Sequence, residues 1–400
     1  MDEIERQIKI IKRNTVEIIE ETELKEKLKN SIEKNIPLKI KYGIDPTSPE
    51  IHLGHTVPIK KLKDFQKLGH RILFLIGDFT ARIGDPTGRK ETRPILSQEE
   101  IKKNLSRYKE QVGKILDLEK TEFVYNSNWL SKLSLEEIIK IVSTFTIAQI
   151  LEREDFTIRY KEKKPIYLQE FLYPILQGYD SFVLKSDIEI GATEQKFNLL
   201  AGRTIQEALG QEKQVVITMP ILVGTDGKMK MSKTYNNHIP IETTPIDMFG
   251  KIMSIPDSIM EDYFSFLTEI SSQIYKKLIY ENPRDAKYML AKEVVKDFFG
   301  KDTAEATACE FERIFSKKQY PYEIPEVKIE SCKLVNGKIN ISELLSITNL
   351  VSSKSEARRL ISQKAVKIDG KTIEDFNEYI SPDGKIIKVG KRKFGKIKVI

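Results

Sequence analysis

Leu38-Lys39-Ile40-Lys41-Tyr42-Gly43-Ile44-Asp45-Pro46-Thr47, followed closely by Ile51-His52-Leu53-Gly54-His55, is the stretch that decides how this chain folds. A short β-rich run, Leu38–Ile44, breaks at Gly43-Ile44-Asp45-Pro46 and leads into a segment with helical character. Outward from it, the same alternation of β-rich run and helical segment recurs at Arg71–Ile76, Glu122–Tyr125, Asp187–Ile190 and Gln214–Thr218. Strands alternating with helices predict an α/β domain on a mostly parallel sheet with right-handed crossovers. Ligands of such sheets gather outside the carboxyl ends of the strands. The unusual segments each follow a strand: Gly43–Pro46 with His52–His55, Gly77–Arg93, Gly191–Gln195 and Gly224–Thr234. Four stretches should therefore converge on one edge of one sheet.

At 400 residues the chain exceeds one ordinary domain of roughly 100–200 residues, so two or three are expected. It is 40% hydrophobic and 31% charged, and no apolar run approaches the ~20 residues that cross a bilayer. Met1–Arg6 alternates charges without the apolar stretch of a signal peptide. These features predict a soluble, cytoplasmic protein with no membrane partner. The two cysteines, Cys309 and Cys332, sit in no Cys-x-x-Cys pair and beside no histidine cluster, so neither a disulfide framework nor a protein-bound metal is expected. From Ser352 to Ile400 there are thirteen Lys or Arg against six Asp or Glu, a surplus of seven equal to the net +7 of the whole chain. The remainder is close to neutral.

Residues 1–36 read as one or two amphipathic helices used for packing. From Pro245 to about Tyr320 apolar residues recur at helical intervals, and Tyr320–Pro325 reads as an extended connector. The expected organisation is an α/β domain over 1–240, with an inserted segment near 106–165, a small all-α domain over 241–325, and a C-terminal α+β unit over 330–400.

Three patterns carry chemistry. His52 and His55 share a helix face at i and i+3, with Gly54 between them leaving room for close approach and a helix N-terminus that favours phosphate. Alone, the pair suits an N-terminal helix feature equally well. Gly227-Lys228-Met229-Lys230-Met231-Ser232-Lys233-Thr234 follows a strand and sets two ammonium groups around a small hydroxyl residue, which can follow charge along a breaking phosphate bond; an isolated Lys-x-x-Lys is more often a solvated loop. Tyr173, Gln177 and Asp180 lie at i, i+4 and i+7, so one helix face carries a phenol, an amide and a carboxylate. Asp180 also suits a helix terminus.

His52-Leu53-Gly54-His55 and Lys230-Met231-Ser232-Lys233-Thr234, in that order on one α/β domain, resemble the two signatures of class I aminoacyl-tRNA synthetases. The resemblance implies a Rossmann-like catalytic domain in which an amino-acid carboxylate attacks the α-phosphate of ATP, with Mg²⁺ accompanying the nucleotide and no permanently bound cofactor. It implies that Asp45, His52, Gly54, His55, Gly191, Glu194, Lys230 and Lys233 bind ATP, and that His52, His55, Lys230, Lys233, Arg89 and Arg93 act on the phosphates. The Tyr173, Gln177, Asp180 face is similar to the amino-acid site of tyrosyl-tRNA synthetases. It implies an L-tyrosine site in which Asp180 accepts from the substrate phenol and Asp85, Tyr173, Gln177 and Gln195 surround the ammonium group. The chain departs from the family in three places. Ala192 and Glu194 stand where Gly and Asp are usual, and Lys41 stands where many tyrosyl enzymes have Tyr.

Residues 341–370 resemble the S4 RNA-binding module, with Lys354, Ser355, Arg358, Arg359 and Lys364 as the implied RNA contacts and tRNA(Tyr) as the implied partner. Apolar Leu344, Leu345, Ala357, Leu360, Ile361, Val366 and Ile368 supply a core that a solvated basic tail would lack. A homodimer is implied through 106–165. Three rivals are disfavoured: a tryptophanyl-tRNA synthetase by the Tyr173, Gln177, Asp180 face and the S4-like end, a non-catalytic RNA-binding paralogue by intact His52, His55, Lys230 and Lys233, and another His-x-Gly-His nucleotidyltransferase by the C-terminal module it would not need.

Overall fold

The structure is a computed structural model, and it describes residues 2–47, 50–87, 98–316, 324–390 and 393–400. The chain divides into two compact units, Met1–Ala304 and Glu305–Ile400.

The first unit is organised by six strands: β1 (Glu17–Ile19), β2 (Lys39–Ile44), β3 (Arg71–Ile76), β4 (Thr121–Tyr125), β5 (Ile188–Ala192) and β6 (Val215–Met219). Their spatial order is β1-β6-β5-β2-β3-β4. All neighbours pair in parallel except β1, which runs antiparallel to β6 along the edge. Near-continuous apolar runs such as Ile72–Ile76, buried throughout, fit strands covered on both faces. The five strands expected from the sequence form within a residue or two at each end. β1 was not anticipated: residues 1–36 contain the two helices Glu3–Lys12 and Glu21–Lys34, but the turn between them adds a strand to the sheet edge. Three residues, Glu17-Ile18-Ile19, are too short to show a period of two, so only pairing with β6 makes them a strand.

From β2 the chain winds outward to β3 and β4, then returns to lay β5 and β6 on the other side. The reversal lies between β2 and β5, where doubly wound sheets open a crevice. β2 and β5 pair at Ile40↔Ile188 and Lys41↔Glu189, while β2 continues to Ile44 and β5 to Ala192. Their carboxyl ends thus part just above the Lys41–Glu189 rung. The helices Leu168–Leu184 and Lys196–Ala208 pack closely across this region. Gly178 permits the approach, since a Cβ there would lie 2.8 Å from the backbone of Ala201. Helices Pro245–Met253, Met260–Leu267, Ser272–Glu281 and Pro283–Phe299 follow the sheet within the same unit.

In the second unit, β7 (Glu326–Ile329), β9 (Val366–Ile368), β10 (Lys371–Thr372), β12 (Ile386–Val389) and β13 (Lys393–Val399) make a five-stranded sheet; β8 (Ile339–Asn340) pairs with β11 (Tyr379–Ile380). Helices Ile341–Ile347 and Lys354–Ser362 contribute Leu344, Leu345, Ala357 and Ile361 to its own core, joined by Val366 and Ile368. Residues 317–323, which include 320–323 of the expected connector Tyr320–Pro325, lie outside the described residues.

Candidate active site

Where β2 and β5 part, a cavity of about 780 Å³ opens at the carboxyl ends of the strands. Asp45, His52, Gly54, His55, Asp85, Tyr173, Gln177, Asp180, Gly191, Glu194, Gln195 and Lys230 all line it. Residues separated by up to 185 positions in the sequence thus share one space.

On one flank, the helix Leu168–Leu184 presents the phenol, amide and carboxylate foreseen from its spacing. Tyr173 donates its hydroxyl to Asp45 Oδ2 at 2.9 Å, and Asp45 Oδ1 accepts from Thr80 Oγ1 at 2.8 Å. Gly77 makes room for this carboxylate, because a Cβ at that position would fall 2.0 Å from Asp45 Oδ1. Asp180, 1% exposed, accepts from Trp129 Nε1 at 2.8 Å and Asn126 Nδ2 at 3.2 Å. Burial pushes its carboxyl up to about 7, opposed by the nearby Lys41 charge and the two donated hydrogen bonds and aided by Glu189. Asp85 accepts from the backbone and hydroxyl of Thr87 at 2.9 and 2.6 Å and from Gln195 Nε2 at 2.7 Å. Asp85, Gln195 and Gln177 are linked through Asn198, whose Nδ2 lies 2.9 Å from Gln195 Oε1 and 3.1 Å from Gln177 Oε1.

The two histidines open the helix Leu53–Lys67, with their rings stacked at 3.8 Å between centroids. His55 Nδ1 accepts from the His52 backbone N–H at 3.3 Å, so the pair serves as a helix N-terminal feature and lines the cavity as well. Burial, with the neighbouring His238 assisting, holds His55 down at about 4; burial, His55 and His238 hold His52 lower still. Both are therefore neutral imidazoles at pH 7, able to donate a hydrogen bond without carrying charge. His52 Nδ1 is buried and has no hydrogen-bond partner.

From the far side of the sheet comes the loop after β6. Lys230 Nζ meets both Glu194 carboxylate oxygens, at 3.0 and 2.8 Å, and Ser232 and Thr234 also line the cavity. Lys233 is instead half-exposed and paired with Glu50 at 3.0 Å. Arg89 and Arg93 lie outside the described residues. Lys41 is fully buried and paired with Glu189, which removes it from the cavity wall. In the second unit, Lys354, Ser355, Arg358, Arg359 and Lys364 are all exposed on or just beyond the helix Lys354–Ser362. Lys354 pairs with Glu343 and Lys364 with Glu374, and the Arg358 guanidinium stands 5.6 Å from the Phe376 ring centroid.

Sequence reading passed over Asn126, Trp129, Arg153, Asn198 and His238. Asn126 and Trp129 follow β4 directly and could have been found by extending the strand-end rule to that strand, which also holds the chain's single tryptophan nearby. Arg153, which hydrogen-bonds Thr87 and Asn198 at 2.7 and 3.1 Å, stands between the short helices Ile147–Leu151 and Glu154–Lys161 and gives no local signal.

Residues 33–316 match the family model described as tRNA synthetases class I (W and Y), and residues 319–396 match the tyrosine–tRNA ligase SYY-like C-terminal domain. The tyrosine–tRNA ligase of Carboxydothermus hydrogenoformans is 50% identical over 99% of this chain and 98% of its own length. That of Thermotoga maritima is 48% identical over 98% of this chain and 97% of its own. Among solved structures, a C-terminally truncated mitochondrial tyrosyl-tRNA synthetase of Aspergillus nidulans superposes with a TM-score of 0.64 at 21% identity, over 78% of this chain and 94% of that one. The tyrosyl-tRNA synthetase of Archaeoglobus fulgidus complexed with L-tyrosine gives 0.60 at 24%, over 76% and 99%. These two show the fold. The first family model alone admits tryptophanyl and tyrosyl enzymes alike. With the C-terminal match and the full-length relatives added, the chain belongs to the tyrosine–tRNA ligase family of class I tRNA synthetases.

Proposed function

We propose that the chain activates L-tyrosine with ATP and transfers the tyrosyl group to the 3′-terminal adenosine of tRNA(Tyr), with the residues of the β2/β5 crevice in the following roles. The observation that carries the site reading is Asp180. A carboxylate accepts about four hydrogen bonds, and two donors, Trp129 and Asn126, already fix its plane. The remaining acceptor capacity suits a substrate phenol, and phenylalanine would leave it unmatched in a buried site. Asp85, Gln177 and the Tyr173 oxygen, with Gln195 behind them, present acceptors for the ammonium group.

A tyrosine carboxylate oxygen then attacks the α-phosphorus, the bond to the bridging α–β oxygen breaks, and pyrophosphate leaves with that electron pair. The enzyme supplies position and charge stabilisation. Neutral His52 and His55 donate to phosphate oxygens at the N-terminus of their helix. Lys230 leaves Glu194 to meet the departing charge, with Lys233, Arg89 and Arg93 as further cations, while Gly191 and Glu194 border the ribose. Mg²⁺ enters as part of the ATP complex.

For tRNA, the basic helix Lys354–Ser362 and Lys364 of the second unit meet backbone phosphates. A homodimer is supported by apolar side chains exposed over 135–168, among them Leu135 at 73%, Ile147 at 70% and Leu168 at 81%. The functional division into catalytic 1–240, helical 241–325 and RNA-binding 330–400 segments follows the same reading. No helix among the described residues is long and apolar enough to cross a membrane, in keeping with a cytoplasmic enzyme. Amino-acid-dependent exchange of labelled pyrophosphate into ATP across the twenty amino acids tests the assignment. Tyrosine alone should support strong exchange, and exchange driven by tryptophan would overturn the substrate.

A further inference from the structure

At the amino-acid wall of the cavity, lined in part by Glu189, a buried ion pair with Lys41 behind it is not used by the reaction as described. Lys41 Nζ and Glu189 Oε1 are 2.9 Å apart on the last rung joining β2 and β5, with side chains 0% and 1% exposed. Every donor and acceptor of the pair is engaged. Lys41 also donates to the Gln177 carbonyl at 2.9 Å and Ser181 Oγ at 2.7 Å. Glu189 Oε2 accepts from Ser181 Oγ at 2.9 Å and Gln214 Nε2 at 2.5 Å, and Oε1 accepts from Gln177 Nε2 at 3.3 Å.

That last contact determines which way an amide points. A carboxylate only accepts, so the Gln177 NH₂ must face Glu189 and its oxygen must face the other way. The Gln177 oxygen then receives Asn198 Nδ2 at 3.1 Å. Asn198 is fixed in turn, because its own oxygen accepts from the donor-only guanidinium of Arg153 at 3.1 Å. Gln195 must accordingly turn its oxygen to Asn198 and its NH₂ to acceptor-only Asp85. A chain of three amides is thus locked in one sense by charged groups at its ends and side.

We propose that Lys41 and Glu189 are positioning residues for the substrate ammonium: Glu189 orients Gln177 as a hydrogen-bond acceptor, and Lys41 holds Glu189 and the Gln177 backbone in place. This rests on the reading that Gln177 meets the ammonium group. A reversed amide would direct NH₂ at a cation, so the orienting effect of the pair falls on the amino end of the substrate, while its two charges bear on Asp180 at the phenol end in opposite senses. Breaking a buried pair by removing one partner also destabilises the fold, whereas removing both charges leaves none unpaired.

The test measures binding of L-tyrosine, and of 3-(4-hydroxyphenyl)propionate, which keeps phenol and carboxylate but has no ammonium group. The full-length protein, Glu189→Gln, Lys41→Met/Glu189→Gln and Gln177→Ala are compared. In Glu189→Gln the amide at 189 can donate to Gln177 and release its orientation; tyrosine affinity should fall about tenfold or more while the deamino analogue changes less than about twofold. KM for ATP should stay within about twofold. The double variant should show the same split, with a melting temperature near the parent's. It also serves as the test should Glu189→Gln fail to fold. Equal weakening of both ligands would reduce the pair to a general structural role and overturn the proposal. Parent-like tyrosine affinity in Glu189→Gln, with tyrosine binding lost in Gln177→Ala, would overturn the proposal and leave the site reading standing. Parent-like affinity in Gln177→Ala would remove the site reading itself, and the proposal with it.

Discussion

Trp129 Nε1 donates to Asp180 Oδ1 across 2.8 Å, tying the short helix Ser127–Leu130 after β4 to the helix that carries the carboxylate proposed to meet the substrate phenol. Trp129→Phe keeps most of the ring and deletes the donor. A hydrogen bond to a buried charged group is worth ~1.5–3 kcal/mol, so KM for tyrosine should rise about tenfold or more. KM for ATP should not follow. A parallel rise in both constants would show that Trp129 merely supports the fold.

Asp180 titrates within the working range because burial pushes its carboxyl up to about 7. On the proposed reading, ionised Asp180 accepts the substrate phenol and protonated Asp180 loses that charge-assisted bond. kcat/KM for tyrosine in pyrophosphate exchange should therefore fall as pH drops through about 7, and Asp180→Asn should be weak and nearly flat from about pH 6 to pH 8. Stability has the opposite sense. A folded-state value above the unfolded one gives a contribution that is fully present below about pH 4 and lost as pH rises through about 7, so Asp180→Asn should unfold at a relatively higher temperature at about pH 8 than at about pH 5.

Lys230 is held by Glu194, and in the proposed reaction it exchanges that partner for the departing pyrophosphate. Its contribution should appear as charge develops. Lys230→Ala should slow single-turnover adenylate formation by about 10²–10³ with little change in the Kd for tyrosine. Unchanged adenylate formation would sink the role given to the loop after β6.

Gly178 sits where a Cβ would approach the Ala201 backbone to 2.8 Å. Alanine is intrinsically the better helix former, by about 1 kcal/mol. Overpacking against rigid backbone should outweigh this, and Gly178→Ala should destabilise the protein by about 1–3 kcal/mol in denaturant unfolding. A stabilised variant would mean the two helices part without cost.

The second unit has its own core of Leu344, Leu345, Ala357, Ile361 and Val366. Deleting residues 330–400 should leave tyrosyl-adenylate formation nearly intact and impair tRNA charging. Because 352–400 carry a surplus equal to that of the whole chain, tRNA affinity should fall steeply with salt in the full-length protein and less so after deletion. Pyrophosphate exchange and charging measured together at several salt concentrations separate the outcomes. Equal loss of both would tie the unit to the catalytic fold.

Local pattern was enough for the sheet strands, the carboxyl-edge rule and the i, i+4, i+7 face of Tyr173, Gln177 and Asp180, because each depends on spacing within one element. The signatures at His52–His55 and Lys230–Thr234 added the chemistry through their resemblance to class I aminoacyl-tRNA synthetases, which spacing alone does not supply. What the sequence could not decide was partnership. Lys41 and Glu189 are 148 residues apart, and which one a buried lysine finds depends on the β2/β5 register. Trp129 reaches Asp180, and Arg153 reaches Asn198, only because separate helices converge over the same strand ends. Strand β1 is the same case in backbone form: Glu17-Ile18-Ile19 has no period to read and becomes a strand because β6 offers it an edge. Spacing along one element is written in the sequence. Orientation of a buried amide or carboxylate is fixed by donors and acceptors from other elements, and only the folded chain brings those together.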